Sequence, residues 1–306
     1  MKHIVSVSLG SSLRNKSVTE TIFGEEFLIE RFGVDGDMDA YRKKLIELDG
    51  RVDVFGLGGT DLYVYAGERR YTFKDIRKMV EPVRQTPIVD GSGLKNTLER
   101  ETIVYLQNNG LVDFRSLKTL LVSGVDRFGM AEALAEQGGP VIYGDLMFAM
   151  GVDCPVKSIG ALKSLAYVIM PIIVNLPFTW FYPTGDKQNS IEPKWQKYYK
   201  WADVIAGDFL LIRKYMPDDL TGKIILTNTT TAEDRVELRK RGVKSLITTT
   251  PEFDGRTFGT NVMEAVLVAS SGKQPHELTP QDYLDRLREL GWQPGVKSLS
   301  GSDDAV

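Results

Sequence analysis

The clearest chemical pattern in the sequence lies between positions 120 and 145, in the run LLVSGVDRFGMAEALAEQGGPVIYGD. An apolar segment leads into Gly124, and a helical pattern begins near Gly129 after a turn that contains Asp126. A strand, a glycine turn and a helix in this order present free backbone N–H groups to an anion. The spacing therefore predicts a turn that holds the pyrophosphate of a dinucleotide.

Asp145 stands 21 residues after Gly124, at the end of the second apolar segment. A carboxylate in that place accepts hydrogen bonds from a ribose diol, which favours NAD as the cofactor, with NADP as the alternative. The middle glycine of the usual fingerprint is replaced by Asp126, which would repel a phosphate unless a cation such as Arg127 compensates its charge. The competing interpretation is that these glycines serve only the packing of the helix on the strand.

Ligands of open α/β sheets bind beyond the carboxyl ends of the strands. The residues predicted to bind the cofactor are therefore those of the glycine turn, the acid after the second strand and two polar residues that end a later strand: Gly124, Asp126, Arg127, Phe128, Gly129, Asp145, Asn228 and Thr229. Ordinary turn chemistry is the alternative explanation for the last two.

The run TPIVDGSGLKNTLERE, residues 86–101, is the candidate for proton transfer, because the chain holds only two histidines and they are far apart. Lys95 is predicted as the general acid and base, with Asp90 orienting it and Asn96 beside it. The alternative is a plain helix start in which Ser92 is the N-cap and Lys95 faces solvent.

Three strand ends marked by glycine in the first third of the chain predict a substrate-binding rim. Its side chains are Ser8, Asp61 and Ser92. The run YPTGDKQ, which contains Lys187, predicts a loop that acts as a lid or a solvated linker.

Alternating strand and helix patterns predict an α/β fold with mainly parallel sheets. A polar, turn-rich stretch near residues 108–116 separates two such alternations. The prediction is a two-lobed chain, with an N-terminal α/β substrate lobe formed by residues 1–113 together with 262–306. Residues 114–261 are predicted to form a Rossmann-type, parallel-sheet nucleotide-binding lobe.

Composition narrows the classes of function. The 38 basic and 41 acidic residues give a net charge of -3, which does not favour a nucleic-acid partner. A single cysteine, Cys154, fits a reducing compartment and leaves no internal disulfide or cysteine-based metal site. No apolar run is long and unbroken enough to predict a membrane span or a secretory signal. We expect a cytoplasmic protein that acts on a small-molecule substrate, with a homodimer as one option.

Four sequence segments add to these observations: VSVSLGSS, GLGGTDLYVYAGERRYT, TPIVDGSGLKNTLER and YPTGDKQ. Together they resemble bacterial proteins labelled quinate or shikimate 5-dehydrogenase, and the resemblance covers nearly the whole chain. It implies a substrate lobe, a nicotinamide lobe and a returning helix, with a catalytic pair that Lys95 and Asp90 match. Ser6 and Ser8 match an SxS substrate motif, whereas Lys95 lies in GLKNT and not in the usual lysine context.

Three functions follow from these observations. The first is an NAD(P)-dependent oxidoreductase that acts on a small polar alcohol or carbonyl, such as a quinate-like or shikimate-like acid. The second is a methyltransferase that uses S-adenosylmethionine, because a glycine turn and an acid also suit a cofactor without a pyrophosphate. The third is a non-catalytic protein that binds a nucleotide or metabolite.

Overall fold

The computed structural model describes residues 1–177, 191–250, 252–253, 256–257 and 259–300. The chain divides into two compact units. Unit 1 comprises Met1–Thr97, Tyr167–Gln188 and Gly259–Trp292, and unit 2 comprises Leu98–Ala166, Asn189–Phe258 and Gln293–Val306. Residues 98–113 and the last described strand thus belong to unit 2, whereas the sequence placed them in the first lobe.

Unit 1 is built on strands that alternate with helices. Its strands are β1 (Lys2–Ser8), β2 (Lys16–Ile22), β3 (Glu25–Gly33), β4 (Val54–Gly58), β5 (Tyr63–Ala66), β6 (Arg69–Thr72) and β7 (Ile88–Val89). Its helices are α1 (Met38–Leu48), α2 (Lys74–Val80), the first turns of α3 (Ser92–Asn108), the last turns of α6 (Ile159–Ile173), α10 (Thr260–Ser271) and α11 (Pro280–Glu289).

The main sheet of unit 1 has the order β2-β3-β1-β4-β7. The strands β3, β1, β4 and β7 run parallel, and only β2 is antiparallel to its neighbour β3. The apolar side chains of β1 and β4 are almost completely buried, as expected for central strands covered on both faces. The carboxyl ends of the parallel strands consequently meet at one edge of this sheet.

Unit 2 also consists of strands that alternate with helices. Its sheet strands are β8 (Thr119–Leu121), β9 (Val141–Tyr143), β10 (Val204–Ala206), β11 (Ile224–Thr227), β12 (Ser245–Thr248) and β15 (Gly295–Ser298). Its helices are α4 (Phe128–Gln137), α5 (Asp145–Phe148), α7 (Gln196–Trp201), α8 (Phe209–Tyr215), α9 (Ala232–Lys240), and parts of α3 and α6 (Ile159–Ile173). A short hairpin joins β13 (Glu252–Phe253) and β14 (Arg256–Thr257).

The sheet of unit 2 has the order β15-β12-β11-β10-β8-β9, and every pair except β12 with β15 is parallel. The connections from β8 run first to β9 on one side and later to β10 on the other. The crevice beyond the carboxyl ends of β8 and β10 is therefore a topological switch point, where ligands of such sheets usually bind. The prediction of an α/β fold with parallel sheets is confirmed.

One predicted helix differs from the structure, and two strands were not predicted. The helix expected over residues 71–84 is a strand end, β6, followed by the short helix α2. The strands β2 and β15 were not predicted, because their alternating polar residues resemble loop sequence. The segment with Lys187 lies outside the described residues. Within the described ranges, no helix is long and apolar enough to cross a membrane.

Candidate functional site

The end of β1 carries Ser8, which was predicted to bind substrate. Its side chain is only 4% exposed. The Ser8 hydroxyl accepts a hydrogen bond from Arg31 Nη2 at 3.0 Å and one from the Gly10 N–H at 3.1 Å. Burial lowers the pKa of Arg31, and the nearby charge of Arg14 acts in the same direction. Ser8 thus supports the turn after β1.

Asp90 follows β7 and is buried. One carboxylate oxygen accepts the N–H groups of Leu62 and Tyr63 at 2.6 and 2.7 Å. The other accepts the N–H of Ser92 at 3.0 Å and its hydroxyl at 2.6 Å. Asp90 therefore ties the loop after β4 to the start of α3, and Ser92 is engaged in that turn.

Lys95 lies one turn into α3, and its ammonium is 3.4 Å from the Asp61 carboxylate. The two side chains are 11% and 13% exposed, so both are largely buried and each keeps a small solvent-exposed surface. The structure thus gives Lys95 the partner Asp61, where the sequence had paired it with Asp90. Asn96 follows on the same helix and is half-buried.

Sequence reasoning did not single out Thr60, which lies between Gly59 and Asp61. Its side chain is 6% exposed, and its hydroxyl has no hydrogen-bond partner among the described residues. A buried polar atom without a partner is costly, so such atoms point to water or a ligand. We call Thr60, Asp61 and Lys95 the edge site of unit 1. The only sequence signal for Thr60 was its place in GLGGTD.

A second buried carboxylate lies beneath this turn. Glu264 on α10 accepts the Gly91 N–H at 2.7 Å, and the Tyr283 hydroxyl lies 2.7 Å from its other oxygen. A Cβ at Gly93 would overlap this carboxylate, so the glycine is required for the close approach. Burial, with a contribution from the charge of Asp90, raises the pKa of Glu264 to about 8.

In unit 2 the glycine turn after β8 is closed by the chain itself. The N–H groups of Gly124 and Val125 donate to the two oxygens of Asp145, at 3.1 and 2.7 Å. A Cβ built on Gly124 would also lie 2.9 Å from Leu162 and 3.1 Å from Tyr143. The amides predicted to hold a pyrophosphate therefore already have an acceptor. Asp145 accepts hydrogen bonds from the turn itself and is not placed to accept them from a ribose.

Burial raises the pKa of Asp145 to about 6, although its two N–H donors favour the charged form. The nearby Asp126 carboxylate acts in the same direction as burial. Two acids at this turn make it unfavourable for a phosphate.

Arg127, which the sequence assigned to the cofactor, is 2% exposed and forms an ion pair with the buried Glu99. Its Nη2 also lies 3.3 Å from Asp208, and its Nε lies 4.0 Å from Asp126. The guanidinium is thus occupied by carboxylates of unit 2 and fixes the turn before α4. Breaking such a buried pair by removing one partner is strongly destabilising.

Phe128 and Gly129 form the buried start of α4. Asn228 and Thr229 are half-buried after β11, and the Asn228 carbonyl accepts the Thr250 hydroxyl at 2.8 Å. These contacts are those of ordinary turns. Within the described ranges, no group of three or more His, Cys, Asp or Glu side chains could hold a metal ion.

Comparison with solved structures gives only distant likenesses. A glucose-galactose binding protein, GanP of Geobacillus stearothermophilus, shares 9% identity with a TM-score of 0.40, covering 99% of both chains. A sugar ABC transport substrate-binding protein of Bordetella parapertussis shares 9% identity with a TM-score of 0.38, covering 100% of this chain and 92% of that one. Glutamate dehydrogenase of Thermus thermophilus shares 13% identity with a TM-score of 0.43, covering 94% of this chain and 72% of that one. No curated protein matches the chain.

The prediction of an NAD(P)-dependent oxidoreductase is wrong, and so is the prediction that the chain is an enzyme. The physical reason lies in the turn at Gly124, whose amides bind Asp145, and in Lys95, which pairs with Asp61. The resemblance to quinate and shikimate dehydrogenases and the binding of NAD stay predictions.

Two family models cover the chain. One, described as "Domain of unknown function (DUF8753)", matches residues 3–90. The other matches residues 93–299, which is more than half of the chain. The protein belongs to the family described as "Domain of unknown function (DUF8754)".

Proposed function

We propose that the chain binds a small polyhydroxylated metabolite at the edge site of unit 1 without transforming it. The observation that carries the proposal is the Lys95–Asp61 pair beside the buried Thr60 hydroxyl.

The charges of the edge site suit hydroxyl groups. A lysine ammonium offers three donors, and an aspartate carboxylate offers two acceptor oxygens. Vicinal hydroxyls both donate and accept, so one ligand can satisfy Lys95 and Asp61 together.

The rigid support of the site favours binding. Asp90 holds the loop that carries Asp61 through the Leu62 and Tyr63 amides. Glu264 holds the Gly91 amide at the start of the helix that carries Lys95. Because these groups are fixed before a ligand arrives, little ordering cost is added on binding.

The ion pair between Lys95 and Asp61 agrees with a non-catalytic role. A lysine ammonium bound to a carboxylate acts as a hydrogen-bond donor, and the partner first expected to tune it, Asp90, is occupied by backbone and Ser92 groups. The edge site thus supports recognition better than proton transfer.

Thermal unfolding with a ligand panel tests the proposal. The panel contains D-glucose, D-galactose, myo-inositol and quinate at about 10 mM, and isothermal titration calorimetry then gives the affinity of any hit. A ligand at about 100 times its Kd stabilises the folded state by about 2.7 kcal/mol. Lys95→Ala and Asp61→Asn should abolish the shift, whereas the exposed Lys78→Ala on α2 should leave it unchanged.

Mass spectrometry of the recovered ligand, after incubation with and without NAD or NADP, tests the absence of chemistry. We expect the ligand to return unchanged. Conversion of the ligand would refute the non-catalytic part of the proposal, and a panel without any binder would refute the choice of ligand class.

A further inference from the structure

The strand β2 is an edge of the unit 1 sheet. One side of β2 pairs with β3 over all seven of its residues. The other side pairs with no strand in the described part of the chain, where the sheet order begins with β2. A seven-residue edge that pairs with no second strand is a template for another strand, and natural proteins either protect such edges or use them for binding.

The centre of this strand reads Lys-Ser-Val-Thr-Glu, which is residues 16–20. An antiparallel copy centred on Val18 places Val18 opposite itself. Lys16 then faces Glu20 of the copy, and Ser17 faces Thr19 of the copy, each twice by symmetry. We infer that β2 is the homodimer interface, joining two copies across a twofold axis at Val18 into one continuous antiparallel sheet edge.

The two faces of the strand agree with this register. Residues 16, 18 and 20 share one face because side chains alternate along a strand. An apolar pair at the axis is thereby flanked by two opposite-charge pairs. On the other face, Ser17 and Thr19 are both exposed and can exchange hydroxyl hydrogen bonds across the interface.

Neighbouring registers lack this complementarity. An axis at Thr19 would put Val18 opposite Glu20 and leave Lys16 opposite Ile22, so both ion pairs would be lost. A shift of this kind is disfavoured because each opposed pair contributes to pairing.

An exposed apolar side chain beside the strand supports an occupant. Leu13 is 95% exposed, the largest value among the exposed large hydrophobic residues of the described chain. It lies in the short 3-10 turn Ser12–Arg14 that leads into β2. The segment that leads into β2 thus carries a large apolar side chain that is open to solvent.

Sedimentation velocity of the full chain, over about 1 to 100 µM, tests the inference, because dimer formation depends on protomer concentration. Wild type should shift from monomer to dimer across this range. Lys16→Glu and Glu20→Lys each place like charges at both symmetric pairs, and each should raise the dimer Kd about tenfold or more. The double variant Lys16→Glu/Glu20→Lys exchanges the charges and should restore the wild-type Kd.

Mixing supplies the matched control. The two single variants are complementary to each other, so an equimolar mixture of Lys16→Glu and Glu20→Lys should form a heterodimer. Circular dichroism melts of each variant alone confirm that the chain is folded. A wild type that stays monomeric, or single variants that dimerise as wild type does, would overturn the inference.

A cross-link tests the register independently of the charges. In a Cys154→Ser background, Val18→Cys places two thiols directly opposite at the axis, within the Cα separation that a disulfide allows. Oxidation should convert it to a covalent dimer, whereas Thr21→Cys, which lies away from the axis, should remain uncross-linked. Equal cross-linking of the two variants would contradict the assigned register.

Discussion

Neutralising Glu264 should change how the stability of unit 1 depends on pH. This carboxyl is 4% exposed, accepts the Gly91 N–H and lies 2.7 Å from the Tyr283 hydroxyl. In the structure the Tyr283 hydroxyl donates to Glu264 Oε1; when the carboxyl is protonated, its other oxygen still accepts from Gly91, and its O–H donates to Tyr283 in place of that bond. The amide in Glu264→Gln reproduces that pattern, with its oxygen toward Gly91 and its NH₂ toward Tyr283.

Burial, together with the charge of Asp90, raises the pKa of Glu264 from 4.5 to about 8. Because the folded pKa lies above the unfolded value, the folded state keeps a proton that the unfolded chain loses above pH 4.5. The stabilisation is complete below about pH 4.5 and is lost as the pH rises through about 8. At about 1.4 kcal/mol per pH unit, the wild type loses on the order of 4 kcal/mol between pH 4.5 and 7.5 through this group.

Glu264→Gln cannot lose this proton, so its stability relative to wild type should rise by about the same amount over that range. Urea unfolding at half-unit pH steps measures the difference, and contributions from all other groups cancel in it. In thermal melts the change corresponds to roughly 10 °C, at about 2–4 °C per kcal/mol. The exposed Glu68→Gln is the control and should give a difference that does not vary with pH. A constant difference between wild type and Glu264→Gln would refute the reasoning.

Three further outcomes are expected. Asp90→Ala leaves buried N–H donors, including that of Leu62, without an acceptor, and should lower the free energy of unfolding by about 3 kcal/mol or more. Urea titrations measure this loss, and an unchanged midpoint would contradict the prediction. Gly139→Ala should destabilise strongly because its Cβ would overlap the Phe114 carbonyl, whereas Gly160→Ala on an exposed helix turn, with open space around it, should be neutral or slightly stabilising. About 1 mM NADH should not raise the melting temperature, since the turn amides already bind an internal carboxylate, and a clear rise would reverse this conclusion.

Local pattern alone determined much of the fold. Apolar runs ended by glycine predict the central strands. Helical periodicity after Asp37 predicts a helix capped by Asp37 or Asp39, and the structure has α1 with Asp37 as its N-cap. The sequence also predicts helices over residues 261–270 and 280–290, and α10 and α11 begin and end within one residue of those limits. These features depend on neighbours a few positions apart, and a sequence displays such neighbours directly.

Partner choice at the candidate sites was decided by the tertiary structure. Lys95 could have met Asp90, five positions away, but the fold brings it to Asp61, and Asp90 is taken by amides of another loop. The carboxylate of Asp145 returns to Gly124, the turn it was expected to complement from a distance.

The edge strand β2 and the buried Glu264 show the same difference between what the sequence displays and what the tertiary structure decides. The self-complementary string Lys-Ser-Val-Thr-Glu is visible in the sequence, but only the sheet order leaves it at an edge. Glu264 contacts Gly91 across 173 positions, and its proton affinity follows from that burial. The sequence by itself determined the periodic elements, because periodicity is local; the tertiary structure decided which charges meet, because burial and contact arise only when distant segments pack together.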